Sequence, residues 1–207
     1  MIKMEFRDKT PKRRNNPKSV SRHQDHKPDL KEDFRSFCGY CHSHDRYRDA
    51  FYEVDHFIPQ DFFKSGGKIS STDYFNLVYS CRACNNAKRK RWPSKSEKDF
   101  HINDEGFLDP CDDKYAKQFY RCSRGRIYPK TALGTWMHNT FKFAIRERQI
   151  ELVWQLHRLH TTMQDLIKEQ AMLKVGSKEW DSIENMLNKG ARVYYEFDTE
   201  LKNFRSK

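Results

Sequence analysis

The chain has 207 residues, 40 Lys and Arg against 29 Asp and Glu, and a net charge of +11, with a pI near 9.3. That excess of cations favours a polyanionic partner, nucleic acid before any other. No apolar run approaches a membrane span and the first residues lack a signal-peptide pattern, so a cytoplasmic protein is expected. Hydrophobic residues make up only 36%, but 14% aromatics supply area for one core plus a helical extension.

Residues 1–28 are rich in Lys, Arg, Asn and Pro, including Lys12-Arg13-Arg14, and show almost no apolar periodicity. They read as a mobile basic arm, either tracking phosphates or a partner, or merely solvated. Residues 29–37 suggest a short helix capped by Asp29. Cys38-x-x-Cys41 follows, and then His42, His44 and Asp45, which look like a solvated loop. An apolar, aromatic run from Phe51 has strand character and ends in Asp55-His56. Lys64-Ser65-Gly66-Gly67-Lys68 is a turn in a loop over that pair; it lacks the strand, helix and Lys-Ser/Thr context of a P-loop. Residues 72–79 return towards Cys81-x-x-Cys84-Asn85-Asn86, after which a helix is expected to start at Ala87 and carry the basic run Lys88-Arg89-Lys90-Arg91.

Two CxxC pairs separated by a longer loop put four thiolates within reach of one tetrahedral Zn²⁺, so Cys38, Cys41, Cys81 and Cys84 are expected to bind it. The alternatives are disulfides or unrelated buried thiols. In a reducing compartment Cys111 and Cys122 are spare thiols.

Beyond a polar linker, residues 106–113 and 118–129 look like two short strands. From Thr131 the pattern turns helical, with Leu152, Val153, Leu156, Leu159, Met163, Leu166 and Ile167 at i+3/i+4 spacing. Ser177 is a candidate cap for a last helix, and Gly190 a candidate break. The expected fold class is α+β: a core at 29–94, a β extension at 95–130 and a helical region at 131–207.

The order Asp55-His56 before Ile58-Pro59, Asn76 ahead of the second CxxC, and Cys84-Asn85-x-x-Lys88 resembles the HNH endonucleases, whose ββα-metal core has these parts in this order. The resemblance covers about a quarter of the chain. The last position of the motif is Asn85 instead of His, and Asn86 beside it leaves the register open by one residue. Taken singly, Asn85 fits a helix N-cap, Asn76 a turn residue, and His56 a core histidine or a zinc ligand.

The chemistry of phosphodiester hydrolysis calls for an activated water and charge neutralisation. His56, with an ordinary pKa near about 6.5, suits the base. Asp55 and Asn85 each offer an oxygen to Mg²⁺ or Mn²⁺. The resemblance implies that Asn76 braces the loop carrying His56. Lys88, Arg89, Lys90 and Arg91 are placed to meet flanking phosphates of the nucleic acid, most simply DNA. The rival reading is a non-catalytic zinc module that binds nucleic acid or acts as an adaptor.

Residues 107–113, Gly125-Arg126-Ile127-Tyr128-Pro129, and Thr135, Asn139 and Arg146 at their spacing resemble the tail of HNH effectors of bacterial antiphage systems of the Septu and retron-associated kind. That resemblance implies a defence role beside an ATPase partner. A mobile-element or phage enzyme is the alternative.

Overall fold

The structure, a computed structural model, describes residues 2–47, 52–64, 66 and 68–204. Phe51 and most of the 64–68 turn read from sequence lie outside the described side chains. The fold is α+β, in the order β1 (Lys3–Glu5), α1 (Lys27–Asp33), β2 (Tyr52–His56), α2 (Gln60–Lys64), β3 (Leu77–Cys81), α3 (Arg82–Lys88), β4 (His101–Ile102), β5 (Glu105–Gly106), α4 (Asp113–Ala116), β6 (Phe119–Cys122), β7 (Ile127–Pro129), α5 (Ala132–Thr140), α6 (Glu147–Gln170) and α7 (Lys178–Asn203).

The N-terminal stretch is packed, which corrects the mobile-arm reading. β1 pairs antiparallel with β6, Met4 opposite Arg121, making one edge of the sheet β1-β6-β7. Phe6 is fully buried among Tyr115 and Phe119. Arg13 makes a two-pronged ion pair with Asp109, and Arg14 bonds Asp33 on α1. Composition gave no sign of this because β6 and Asp109 lie far along the chain, and even Asp33 is 19 residues from Arg14. Pro28 sits in the first turn of α1, where its missing N–H costs nothing. Asp29, expected as the cap, lies inside the helix and faces Arg14 and Lys18 instead.

β2 and β3 pair antiparallel, Tyr52 opposite Cys81 and His56 opposite Leu77. All five β3 residues are buried, with no alternation. α1 packs against this strand, and α3 begins immediately after it, so both faces are covered. The helix starts at Arg82 and stops at Lys88, where Arg89 takes a φ of 48°. Residues 89–91 therefore follow the helix end and do not form a basic helical face.

The β extension also differs from expectation. Gly106 ends a small β4–β5 hairpin, residues 107–112 are irregular, and 119–129 form the β6–β7 hairpin. Arg121, 1% exposed, donates to the carbonyls of Phe6, Gly125 and Cys41, so one guanidinium ties β1, the β6–β7 turn and the first cysteine knuckle. The main core is aromatic: Tyr40 stacks on Phe141 at 4.7 Å, and Phe107 meets Phe141 at 5.5 Å.

The helical pattern expected from Thr131 is divided into α5 and α6 by a turn from 141 to 146, with a φ of 55° at Lys142. Thr131 caps α5 through the Gly134 N–H, and Ser177 caps α7 through that of Trp180. Helices α6 and α7 form a long hairpin, with Leu152, Val153, Leu156 and Leu201 in a second apolar cluster around Tyr47. Gly190 does not break α7, which runs unbroken through it; a Cβ there would make ordinary contact with Met163 at 3.4 Å.

Candidate active site

Two knuckles meet at the end of the β2–β3 pair. Cys38-Gly39-Tyr40-Cys41 turns back on itself, with His42 N–H donating to Cys38 O and Gly39 N–H to Tyr79 O. Gly39 has no room for a side chain, since a Cβ would come within 2.8 Å of Phe34 and Val78. The second pair brackets the β3–α3 junction.

All four thiols are buried, with ligand atoms within 4.8 Å of one another. Cys41 Sγ and Cys81 Sγ are 3.8 Å apart, matching the edge of about 3.8 Å in a tetrahedron with Zn–S near 2.3 Å. Burial pushes the Cys38 and Cys84 thiols up, while hydrogen bonding with Cys38 brings Cys81 down to about 7. Arg146 Nη2 lies 3.4 Å from Cys84 Sγ. Burial works against the Arg146 charge, yet Cys84, Cys41 and Cys81 hold its pKa above the ordinary value. A buried guanidinium beside the sulfurs suits a four-thiolate zinc site of net negative charge, and the cluster fits a structural metal.

The second centre is a cleft of about 300 Å³ where His56 and Asp55 of β2 meet Asn85 of α3. His56 Nε2 is 2.7 Å from Ser71 O. A carbonyl accepts only, so this contact, shorter than the 3.4 Å one between Gln60 Nε2 and the same nitrogen, favours the proton on Nε2 and Nδ1 as the basic nitrogen. Burial lowers the His56 pKa, against the raising effect of the Ser71 contact.

Asp55 is buried, and its Oδ2 accepts from the Tyr40 hydroxyl at 2.5 Å. Asn85 Nδ2 donates to Glu53 at 2.7 Å, which orients the amide and leaves its oxygen as the donor for a cation. The oxygens of Asp55 and Asn85 border one open cleft and have the hard character that Mg²⁺ or Mn²⁺ requires. That donor set fits such an ion.

Lys88 is a correction. It is fully buried, 3.1 Å from Asp55 Oδ2, and donates to His56 O at 2.7 Å. Desolvation lowers its pKa and Asp55 opposes that. It cannot reach a phosphate at the surface, because α3 ends with this residue facing inward. Arg89 and Lys90 do line the cleft, and Arg91 is exposed beside them. Asn76, 5% exposed, is not a cleft residue. Its side chain accepts from Ile58 N–H and donates to Ile58 O, and its backbone O accepts from Phe57 N–H, pinning the chain just after His56.

Sequence reasoning missed His23, whose ring meets that of His56 edge-on at 4.5 Å across the cleft. It also missed Tyr40 and Glu53, the partners of Asp55 and Asn85. Glu53 stands two residues before Asp55, a strand spacing that places both on one face; nothing local marks His23. His42, His44 and Asp45 are not a solvated loop: His42 stacks on Phe37 at 4.2 Å, His44 on His157 at 4.7 Å, and Asp45 accepts from Tyr79.

A strand pair leads into a helix, four clustered cysteines join its two ends, and an Asp-His pair faces an Asn across a cleft. Residues 38–91, roughly one quarter of the chain, match the family model described as HNH endonuclease, so this stretch is similar to an HNH domain. No curated protein and no solved structure matches the chain. An HNH domain implies a nuclease-type function and a nucleic-acid substrate. Among the described residues no helix is long and apolar enough to cross a membrane.

Proposed function

We propose that the chain is a metal-dependent endonuclease that hydrolyses phosphodiester bonds, with DNA as the first substrate to test. The observation that carries this is the convergence of His56, Asp55 and Asn85 on one open cleft flanked by Arg89 and Lys90. His56 Nδ1 takes the proton of the attacking water, while the Ser71 carbonyl holds the ring by its other nitrogen. Asn76 is a positioning residue for the turn after His56. Asp55 and Asn85 would hold Mg²⁺ or Mn²⁺, which would supply charge neutralisation on the scissile phosphate. Lys88 and Tyr40 fix the Asp55 carboxylate, and Arg89, Lys90 and Arg91 meet flanking phosphates.

Plasmid and single-stranded DNA incubated with zinc-loaded protein and Mg²⁺ or Mn²⁺ test the reading. His56→Ala should keep zinc, fold and DNA binding and lower cleavage by about two to four orders of magnitude, the usual worth of general acid–base catalysis. Cutting at the wild-type rate would remove His56 as the base. DNA binding without any cleavage by the wild type would favour the non-catalytic zinc module. The antiphage role beside an ATPase is supported by the motif in residues 107–146 alone. Cleavage that is unchanged by a co-expressed ATPase and by ATP would count against it.

A further inference from the structure

Every other residue lining the cleft around His56 lies between 54 and 90, inside the stretch that matches the HNH model; His23 alone comes from outside it. It stands on a single turn of 3-10 helix, His23–His26, that packs against β2. The turn is braced from behind. His26 is 1% exposed and meets Tyr74 edge-on at 4.8 Å, and α1 follows at once with Leu30 fully buried. The Tyr74 hydroxyl donates to Asp33 Oδ2 at 2.6 Å, and Arg14 bonds the same carboxylate. The packed N-terminal stretch therefore delivers His23 to the cleft.

Packing does not account for the polar atoms of that ring. The edge-on contact with His56 at 4.5 Å uses the ring itself. Among the described residues neither ring nitrogen has a hydrogen-bond partner, and neither is sealed from solvent. The other donors at the cleft differ. Gln60 Nε2 lies 3.4 Å from His56 Nε2, Arg89 Nε donates to the Asn86 carbonyl, and the Lys90 side chain is 81% exposed with its Nζ 3.9 Å from Asp61. His23 is the half-buried donor of this cleft whose N–H has no protein acceptor among the described residues.

An imidazole in that place has two ways to serve a phosphodiester. Giving a proton up to the leaving oxygen calls for a charged ring, whereas burial first, and then His56, lowers the His23 pKa. Donating a hydrogen bond calls for no charge, since the ring carries an N–H in either protonation state. A phosphodiester offers non-bridging oxygens that are strong, charged acceptors.

We propose that His23 is a substrate-contacting residue of this cleft, donating an N–H to a non-bridging oxygen of the scissile phosphodiester. This deepens the nuclease reading and takes the identity of its ligand from it.

Cleavage of a DNA oligonucleotide by the zinc-loaded full chain in Mn²⁺ tests the contact, with zinc content and thermal melting as checks on the fold. His23→Phe keeps a ring against His56 and removes the N–H. It should cut about ten- to a hundredfold more slowly than wild type, the worth of one hydrogen bond to a charged group. His23→Asn and His23→Gln return an N–H near one or other ring nitrogen without the ring, and at least one should recover most of the rate. Sulfur in place of one non-bridging oxygen is a poorer acceptor and should shrink the His23→Phe penalty for one diastereomer. His23→Phe cutting as wild type would reduce His23 to packing for His56 and overturn the proposal. Loss of Mn²⁺ affinity in His23→Phe would do the same, by making the ring a metal ligand. The ¹⁵N resonances of the His23 ring, followed as an oligothymidylate is added in Ca²⁺, separate this proposal from the nuclease reading. Their shift, with no cleavage by wild type in Mg²⁺ or Mn²⁺, would sink the nuclease reading and support the contact. Cleavage without a shift would keep the nuclease and overturn the contact.

Discussion

Replacing Lys88 with Met separates a structural cation from a phosphate contact. In the folded chain the ammonium is fully buried, pairs with Asp55 at 3.1 Å and donates to the His56 carbonyl at 2.7 Å. Met keeps much of the stem volume but leaves Asp55 in a buried site with Tyr40 as its named donor. Breaking a buried pair from one side typically costs about 3–5 kcal/mol, because the remaining charge is uncompensated. The lost bond to the His56 carbonyl overlaps with that figure and does not add to it in full. Urea unfolding of the zinc-loaded protein should therefore show a loss of about 3–5 kcal/mol. Part of it should return in Lys88→Met/Asp55→Asn, where no charge is stranded. A surface phosphate contact would behave in the opposite way. Stability would stay within about 0.5 kcal/mol, while the slope of log affinity against log salt would fall by about 0.9. Arg89→Gln and Lys90→Gln should show that second pattern. A stability loss below about 1 kcal/mol for Lys88→Met would refute the buried-pair argument.

For the zinc cluster, Cys81→Ser should remove the bound metal found by elemental analysis after dialysis and abolish cooperative unfolding; unchanged zinc content and circular dichroism would mean the four cysteines are not the site. His44 gives a pH test. Burial first, then His157, lowers its pKa to about 4, below the ordinary value near about 6.5. Between those values the unfolded chain takes the proton and the folded chain does not, so stability is lost as pH falls through the window. At about 1.36 kcal/mol per unit, the drop from pH 7 to pH 5 is bounded by about 2 kcal/mol. Thermal melts of His44→Gln should lose less over that interval than the wild type, and equal losses would show that His44 does not resist protonation.

The readable parts of the sequence were those whose chemistry is compressed into short spacings. Two CxxC pairs place their thiols through tight turns, and Asp55-His56 is one dipeptide on one strand, so neither needed knowledge of the tertiary fold. The unreadable parts depend on distant partners. Arg7 reaches Pro110, Arg13 reaches Asp109 and His23 reaches His56, and a composition window sees only a run of cations. Lys88 was misread for a related reason: its identity suggests solvent, but the helix ends with that residue turned towards Asp55. Gly190 was misread because propensity argues for a break, whereas the packing of α7 along α6 carries one glycine inside the helix.

The pairing of β1 with β6 also sets an order on assembly. Lys3 and Cys122 are register partners, so during synthesis the first described strand waits until well over a hundred further residues have been made. The four cysteines are complete by residue 84, and zinc is able to close that unit first. β1 then closes a long loop onto a sheet whose other strands are late products, a slow step by its sequence separation. Until it does, Phe6 and the apolar face that receives it stand open to water, and Arg121 lacks one of its three carbonyls. The wait is the interval in which a nascent chain is most exposed to aggregation.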